Sequence, residues 1–360
     1  MKLVVNLKLK LTQAQAAILK ATLERANDAC NYLSARAWET GIFEQFALHK
    51  LAYRETRNKF SLTAQMAVRS IAKVADAYKL DKKILRRFRK DSAQSYDERI
   101  IRFARDDIVS LWTISGRQKI PFVMGDYQRK LFAFRKGEVD LMRINGKFYL
   151  AAVCDIDEPE LIKIKDVLGI DMGIVNLATD STGKNYSGKA IRRASMTFQH
   201  RRKNLQKKQT PSARRKLKKI SGKQQRFQKD VNHRISKEIV ADAKRTESAI
   251  ALEDLGGIRS RVTARRHRRA RLSNWGFFQL RAFLSYKAKR EGVPIILVDP
   301  RYTSQQCPEC GHIERANRKT REDFLCVECG HAGPADTVAA QNIRARALVN
   351  APMVTGERAA

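Results

Sequence analysis

The chain has 360 residues, with 72 basic against 37 acidic side chains and a net charge of +35. This length predicts two or more domains, and so positive a charge predicts a polyanionic partner, with nucleic acid as the first candidate. There is no apolar run near the length of a membrane span and no signal peptide, so we expect a cytoplasmic protein that binds no membrane. The alternative to a nucleic-acid partner is that the positive charge is only a generic basic surface.

The N-terminal stretch predicts a strand followed by helices. Residues 3–11 alternate apolar and polar side chains, which indicates a strand with one buried face. Thr12 and Gln15 form a capping box that begins an amphipathic helix running to about residue 37. Helical spacing recurs over 61–80, and a basic third helix is predicted over roughly 81–112. Residues 12–115 are therefore expected to form a helical module with cationic faces.

Beyond residue 116 the apolar period changes to two. Asn145-Gly146, between two such runs, predicts a β-hairpin with a type I′ turn. We expect the first strand to pair into this sheet, which would make the helical module an insertion in a small β-domain. Cys30 and Cys154 stand alone in apolar patterns, so we predict buried free thiols rather than a disulfide.

A further domain is predicted from about residue 165, and it carries acids at the ends of apolar runs. Asp171 and Glu253 each end a short buried strand, whereas Asp336 begins an Ala-rich helix. Two antiparallel strands with an acid on the first are how a ribonuclease-H-like sheet begins. Carboxylates are the ligands that Mg²⁺ prefers, and two such ions can act on a phosphodiester. We interpret the three acids as one metal site, although a lone acid at a strand end is more often a turn or a cap.

Two stretches of this domain are basic and lack acids. Residues 192–229 hold fifteen Lys or Arg and predict two exposed helices, joined near Pro211, that contact phosphates. A solvated helix face is the alternative. Seven arginines between 259 and 271 indicate a mobile basic loop. The candidate nucleic-acid-binding residues are Arg201, Arg202, Lys203, Lys207, Lys208, Arg214, Arg215, Lys218, Lys219, Arg265 and Arg266.

The most specific motif is a pair of Cys-x-x-Cys knuckles. Cys307, Cys310, Cys326 and Cys329, with fifteen residues between the two pairs, fit a tetrahedral zinc site. A Gly-His dipeptide follows each pair, and the glycine relieves strain in the tight turn. Four thiolates complete the site, so the histidines are expected to be surface residues and the zinc to be structural.

Several segments, taken in this order, resemble the TnpB proteins of bacterial insertion sequences, whose core also occurs in type V CRISPR effectors. The resemblance is specific over 165–345 and diffuse before it. The matching segments are Gly169-Ile170-Asp171-Met172-Gly173, Glu253-Asp254-Leu255, Tyr302 to Gly311, and Asp336 to Ile343.

The resemblance implies an α/β multi-domain fold. A ribonuclease-H-like (RuvC) nuclease domain would span 165–300 and 332–360, with a zinc ribbon inserted at 301–331. A β-barrel-like wedge domain would comprise 1–11 and 116–164, and a helical recognition lobe 12–115. Zn²⁺ would be structural, and Asp171, Glu253 and Asp336 would be the catalytic acids that bind Mg²⁺.

The resemblance also implies a function and partners. The chain would be an RNA-guided DNA endonuclease of a transposable element, holding a guide RNA from the transposon end. It would cleave target double-stranded DNA beside a short flanking motif. We expect it to act as a monomer or dimer, associated with the nucleoid of a bacterium or archaeon.

One position departs from the family pattern. The last motif usually reads Asp-x-Asn-Ala-Ala, and Val338 stands where the Asn is expected. If that Asn supports the metal or the scissile phosphate, its loss weakens cleavage. A nuclease-silent RNA-guided DNA-binding repressor is therefore one alternative, and a transposase that joins DNA strands without a guide is another.

Overall fold

The computed structural model describes residues 1–173, 175–255 and 277–350. They divide into two compact units, Met1–Asp157 and Glu158–Ala360. Both combine helices with a sheet, so the predicted α/β multi-domain class is confirmed. Within these ranges, no helix is long and apolar enough to cross a membrane.

An antiparallel sheet organises the N-terminal unit. The strand order is β2-β6-β7-β1-β5-β4-β3, and β1 lies between β7 and β5. The predicted pairing of the first strand into this sheet is therefore confirmed. The strands are β1 (Lys2–Leu9), β2 (Gln94–Tyr96), β3 (Ile101–Phe103), β4 (Ile108–Thr113), β5 (Gly116–Val123), β6 (Arg135–Ile144) and β7 (Lys147–Asp155).

The helices of this unit follow β1. They are α1 (Gln13–Thr40), α2 (Gln45–Phe60), α3 (Ala64–Leu80) and the short α4 (Asp126–Phe132). The capping box of Thr12 and Gln15 forms as predicted, and the helical pattern over 61–80 corresponds to α3. Helix α2 was not predicted from the sequence. Its buried stripe is narrow, consisting of Leu48, Ala52 and Thr56.

The predicted third helix over 81–112 is wrong. Residues 81–93 form no helix, and the sheet strands β2, β3 and β4 follow them. In β4 the buried residues are Val109, Leu111 and Thr113, which is the period of a strand. The many basic residues of this stretch do not define a helix, because charge alone has no helical period. The division of this unit into a wedge and a recognition lobe stays a prediction.

Two local predictions for this unit are confirmed. Asn145 and Gly146 both have positive φ, 51° and 80°, as a type I′ hairpin turn between β6 and β7 requires. Cys30 and Cys154 are fully buried and free. Burial raises the pKa of Cys30 to about 11, so this thiol stays protonated and unreactive.

A five-stranded mixed sheet forms the centre of the C-terminal unit. Its order is β10-β9-β8-β11-β12. The first three strands form an antiparallel meander, and β11 and β12 run parallel to β8. The strands are β8 (Asp166–Asp171), β9 (Asn176–Asp180), β10 (Asn185–Ser187), β11 (Ser248–Glu253) and β12 (Ile295–Val298).

Helices cover both faces of this sheet. On one face, side chains of α7 and α8, including Ile239 and Leu284, pack with Ile250. On the other face, Ile343 of α9 packs with Val167 and its neighbours. The helices are α5 (Lys189–Lys208), α6 (Pro211–Ile220), α7 (Lys223–Arg245), α8 (Phe277–Arg290) and α9 (Ala335–Asn350). Two short strands, β13 (Asp323–Leu325) and β14 (Ala332–Pro334), precede α9.

Gly169 allows α9 to lie directly on β8. A Cβ at this position would be 2.1 Å from the carbonyl oxygen of Ala340 and 2.7 Å from the amide nitrogen of Arg344. Both neighbours are helix backbone, so neither could move away alone. The Arg344 guanidinium secures the same crossing by donating to the Asp166 carboxylate at 2.8 Å. This crossing fixes the position of α9 along the strand.

We predict that Gly169→Ala destabilises the C-terminal unit by about 1–3 kcal/mol or more, because the added methyl group forces the helix away from the strand. Urea denaturation measures this change. Gly333→Ala is the matched control, since its Cβ would meet Val338 Cγ2 at an ordinary 3.6 Å. Equal stability of the two variants would contradict the close approach.

Candidate active site and metal centre

The fold brings the three predicted acids to one cavity of about 370 Å³. Leu252 pairs with Ile170 in parallel register, so Glu253 and Asp171 follow side by side at the carboxyl ends of β11 and β8. Asp336 lies in the first turn of α9. The four residues from Asp336 to Ala340 span about 6 Å of helix, and the two from Gly169 to Asp171 span about 6.6 Å of strand. The crossing at Gly169 therefore sets Asp336 against Asp171.

Three side chains hold these acids in place. Thr303 Oγ1 donates a hydrogen bond to Glu253 Oε1 at 2.5 Å. Asn176 Nδ2 donates to Asp336 Oδ2 at 3.1 Å, and Arg318 Nη2 lies 3.3 Å from the other oxygen, Oδ1. Two of the three carboxylates thus have an orienting partner.

The electrostatics of the cavity favour a cation. Burial, followed by the charges of Glu253 and Asp336, raises the pKa of Asp171 to about 7, although Arg318 opposes this shift. Burial also raises the pKa of Glu253, against the hydrogen bond from Thr303. The raised pKa of Asp171 therefore reflects both a desolvated site and repulsion by the other two carboxylates, whereas that of Glu253 reflects burial. A divalent cation would relieve that repulsion.

The donor set of the cavity suits hard divalent ions. Carboxylate oxygens are the ligands that such ions prefer. Two ions roughly 3.5–4 Å apart can share the oxygens of several acids. Asp171, Glu253 and Asp336, which line one cavity, are therefore the residues that would hold such ions.

Sequence reasoning missed Thr303, Arg318 and Arg321 as residues that line this cavity, and Asn176 as a hydrogen-bond partner of Asp336. Thr303 lies in the segment from Tyr302 to Gly311 that resembles the TnpB family, so the resemblance marked this stretch without indicating a role for Thr303. Arg318 and Arg321 lie between the two cysteine pairs, far in sequence from Asp171 and Glu253, and no motif links them to the acids. Only the folded ribbon brings these two arginines to the acids.

Val338 does not line the cavity. It is buried and packs with Cys307, Phe324 and Cys326 in the core of the ribbon. An amide reaches Asp336 from β9 instead, through Asn176. The departure at position 338 therefore removes no contact from the acids, which weakens the argument for a nuclease-silent protein.

The four cysteines form a compact tetrad. The Sγ atoms of Cys307 and Cys329 are 3.6 Å apart, as are those of Cys310 and Cys326. A tetrahedral ion with metal–sulfur bonds of about 2.3 Å separates its sulfurs by about 3.8 Å, so the tetrad fits zinc. The Cys329 amide donates to Cys326 Sγ and helps to lower the pKa of that thiol to about 6, which favours the thiolate that binds metal.

The two knuckles have the same backbone geometry. Gly311 and Gly330 both have positive φ, 76° and 74°, as the tight turn after each cysteine pair requires. The His312 and His331 carbonyls each accept a hydrogen bond from the first cysteine of their knuckle at 2.8 Å. Neither imidazole is in the tetrad. Buried Asn342 of α9 donates to the carbonyls of Thr303 and Gln306, which ties the ribbon to the helix.

The candidate basic residues on α5 and α6 are all exposed. Pro211 is the first residue of α6, where Thr210 caps the helix, so the predicted pair of exposed helices is confirmed. Arg265 and Arg266, together with the predicted basic loop, lie outside the described residues.

Two family models match this chain. One is described as a probable transposase and covers residues 151–255. The other is described as a Cas12f1-like TNB domain and covers residues 277–343. Together they include the three acids and the four cysteines.

Curated relatives carry related names. A CRISPR-associated endodeoxyribonuclease Cas12f1 of Sulfoacidibacillus thermotolerans is 32% identical over 55% of this chain and 50% of its own length. A TnpB-like protein of Methanocaldococcus jannaschii is 28% identical over 62% of this chain and 84% of its own. A putative RNA-guided DNA endonuclease, InsQ, of Escherichia coli K12 is 26% identical over 56% and 54%. The chain spans about half the length of the Cas12f1 relatives that it matches.

A solved structure is similar in fold. The protein of a Cas12f1–sgRNA–target DNA complex superposes with a TM-score of 0.61, at 14% identity, over 92% of this chain and 83% of that one. This likeness shows the fold, and the family models and named relatives confirm the predicted resemblance to the TnpB proteins and to Cas12f1.

Proposed function

We propose that this chain is an RNA-guided DNA endonuclease that hydrolyses a phosphodiester bond at the cavity of Asp171, Glu253 and Asp336. The observation that carries the proposal is the convergence of these acids, which come from three distant segments, on one cavity. The cavity also contains two arginines, as a site for a phosphate should. The names of the relatives support the same activity.

The sheet supports assignment of a ribonuclease-H-like (RuvC-type) nuclease domain. An antiparallel meander of three strands, with two further strands parallel to its first, is the order that such a domain requires. The acids lie at the ends of β8 and β11 and at the start of a helix across them. We assign residues 301–331 to a zinc ribbon inserted before that helix, with the cysteine tetrad as its structural site.

The residues of the cavity have distinct roles in this scheme. Asp171, Glu253 and Asp336 would hold Mg²⁺, which when bound supplies the positive charge that hydrolysis of a phosphodiester needs. Thr303 and Asn176 orient two of these carboxylates. Arg318 contacts Asp336 and lines the cavity, so its guanidinium can donate to a phosphate oxygen once cations neutralise the acid.

The proposed partners are a guide RNA from the transposon end and target double-stranded DNA. In this scheme RNA pairing reads the target, and the protein reads a short flanking motif. The charge of +35 is suited to two nucleic acids, and the exposed cations of α5 and α6 are the proposed phosphate contacts in the C-terminal unit.

The function is tested by cleavage with protein purified together with its co-expressed flanking RNA. The substrate is a plasmid library with a matched target beside a randomised flank, in the presence of Mg²⁺. We expect cleavage at a few flanks, and a loss of roughly a thousand-fold or more in Asp171→Ala with RNA binding retained. Asp230→Ala, which removes an exposed acid of α7, should cleave normally. Cleavage surviving in Asp171→Ala would contradict the proposal.

The raised pKa of Asp171 predicts a pH dependence of stability in the absence of metal. Between about pH 4 and 7 the folded protein keeps a proton on Asp171 that the unfolded chain has lost, so stability falls as pH rises through this window. Asp171→Asn removes the charge. With a chelator present, we expect it to raise the melting temperature at pH 8 by at least roughly 2–4 °C, the effect of about 1 kcal/mol, and to change little at pH 5.

Asp230→Asn serves as the control for this pH effect, because its carboxylate is exposed and pairs only with Arg234 on its own helix among the described residues. It should show no such difference between the two pH values. An equal response of both variants would mean that Asp171 is not in a repulsive site.

Loss of zinc should affect the ribbon and not the remaining cysteines. We expect about one zinc per chain in the purified protein and none in Cys326→Ser, because three thiolates leave the tetrahedron incomplete. Cys154→Ala, which removes a lone buried thiol, should retain the metal. Metal content by atomic emission and melting with and without a chelator measure both. Zinc retained in Cys326→Ser would refute the tetrad.

A further inference from the structure

A short basic segment of the N-terminal unit is fixed to helix α1 although it has no regular structure. This segment, Arg86–Lys90, is called the strap here. The carbonyl oxygens of Arg86, Phe88 and Lys90 accept hydrogen bonds from three α1 side chains: Ser34 Oγ at 2.6 Å, Asn31 Nδ2 at 2.9 Å and Asn27 Nδ2 at 3.1 Å. Every second carbonyl of the strap is thus tied to the helix.

The spacing of the donors matches the spacing of the acceptors. Asn27, Asn31 and Ser34 are four and three residues apart, so they lie on one face of α1 and are separated by about 6 Å and 4.5 Å along its axis. Alternate carbonyls of an extended chain are about 6.6 Å apart. Asn31 Oδ1 also accepts the Phe88 amide at 2.7 Å, so its side chain pairs with both polar groups of one residue, as a neighbouring strand would.

The donors are themselves buried and held. Asn27 and Ser34 are fully buried in the unit. Lys73 of α3 donates to Asn27 Oδ1 at 2.7 Å and to the Ala93 carbonyl at 2.6 Å, which fixes both the donor and the chain just beyond the strap. Burial lowers the pKa of Lys73. Buried polar groups cost free energy unless each has a hydrogen-bond partner. The hydrogen bonds from α1 therefore hold the strap in one backbone conformation.

The outward side chains of the strap are cationic. Arg87, Arg89 and Lys90 are exposed, whereas Arg86 and Phe88 are half-buried. Within the described part of the chain, none of the three exposed cations forms an ion pair. Asp91, the nearest acid in sequence, pairs with Arg143 at 2.9 Å. The strap therefore presents free positive charge from a backbone that is already ordered.

We propose that the strap is a rigid phosphate-binding element, and that Arg87, Arg89 and Lys90 contact the phosphodiester backbone of a nucleic acid. Arginine forks match phosphate oxygens, and a fixed backbone means that little further order is lost when they bind. Asn27, Asn31 and Ser34 act as positioning residues that hold the strap. This site lies in a different unit from the acids, and its occupancy does not require cleavage.

The test separates charge from rigidity in the full-length protein. The charge variant combines Arg87→Ser, Arg89→Ser and Lys90→Ser, and all three sites are exposed, so folding should be unchanged. The control combines Lys50→Ser, Arg54→Ser and Arg57→Ser, which removes the same charge from exposed positions of α2. Binding of a DNA duplex and of an RNA–DNA hybrid of the same sequence is measured at several salt concentrations.

We expect the charge variant to bind more weakly and to lose about one unit of the slope of log affinity against log salt for each phosphate contact removed, hence about three. The probe that shows the larger loss identifies the nucleic acid that the strap contacts. The α2 control should keep the wild-type slope to within about one unit. Equal losses in both variants, or none in the charge variant, would overturn the proposal.

Asn31→Ala tests the clamp with all charges kept. It should weaken binding about 2- to 10-fold with the slope unchanged, because the strap must then be ordered on binding. Circular dichroism confirms that the variant is folded. Wild-type affinity in folded Asn31→Ala would overturn the role of the clamp. If the wild-type protein bound neither probe, this inference would fail, whereas binding without cleavage would count against the proposed nuclease alone.

Discussion

The candidate site depends on the close approach of one helix to one strand. Gly169 has no side chain, so the backbone of α9 lies against β8 at a distance that any Cβ would forbid. Because helix and strand rise by similar amounts over four and two residues, this single crossing sets Asp336 against Asp171. The parallel register of β8 and β11 then adds Glu253. The three carboxylates are brought together by packing of the backbone, because the acids themselves do not attract one another.

Placing three carboxylates close together costs folding free energy, which the packing of the rest of the unit must offset. The pKa of Asp171 rises to about 7 because it is buried near two other acids, so the metal-free protein keeps this site at the expense of stability. The segment between α8 and α9 that carries the four cysteines contributes to both the charge of the site and its packing. Arg318 partly offsets the negative charge, while the tetrad and the Asn342 hydrogen bonds hold the ribbon beside α9. The segment that carries the cysteine tetrad thus also delivers Arg318 and Arg321 to the cavity.

The features that could be predicted from the sequence are those that depend on residues close together in the chain. The capping box at Thr12, the Asn145-Gly146 hairpin and the spacing of the cysteines each rest on chemistry within a few residues, and each appears in the structure. Asp171, Glu253 and Asp336 were proposed with help from the family resemblance, since separations of 82 and 83 residues carry no geometric information. Arg318 and Asn176 were missed because their role exists only once the ribbon and β9 are folded. The strap was taken for a helix, because its order comes from side chains of α1 more than fifty residues away.

The central claim is that these three distant segments form one divalent-metal site, and iron-directed cleavage of the protein tests it most directly. Fe²⁺ takes the place of Mg²⁺, and peroxide with ascorbate then generates hydroxyl radicals that cut the backbone beside the bound ion. We expect backbone cuts near residues 171, 253 and 336 together, suppressed by excess Mg²⁺ and absent in Asp171→Ala. Cuts at only one of these segments, or cuts that persist at all three in Asp171→Ala, would contradict the account.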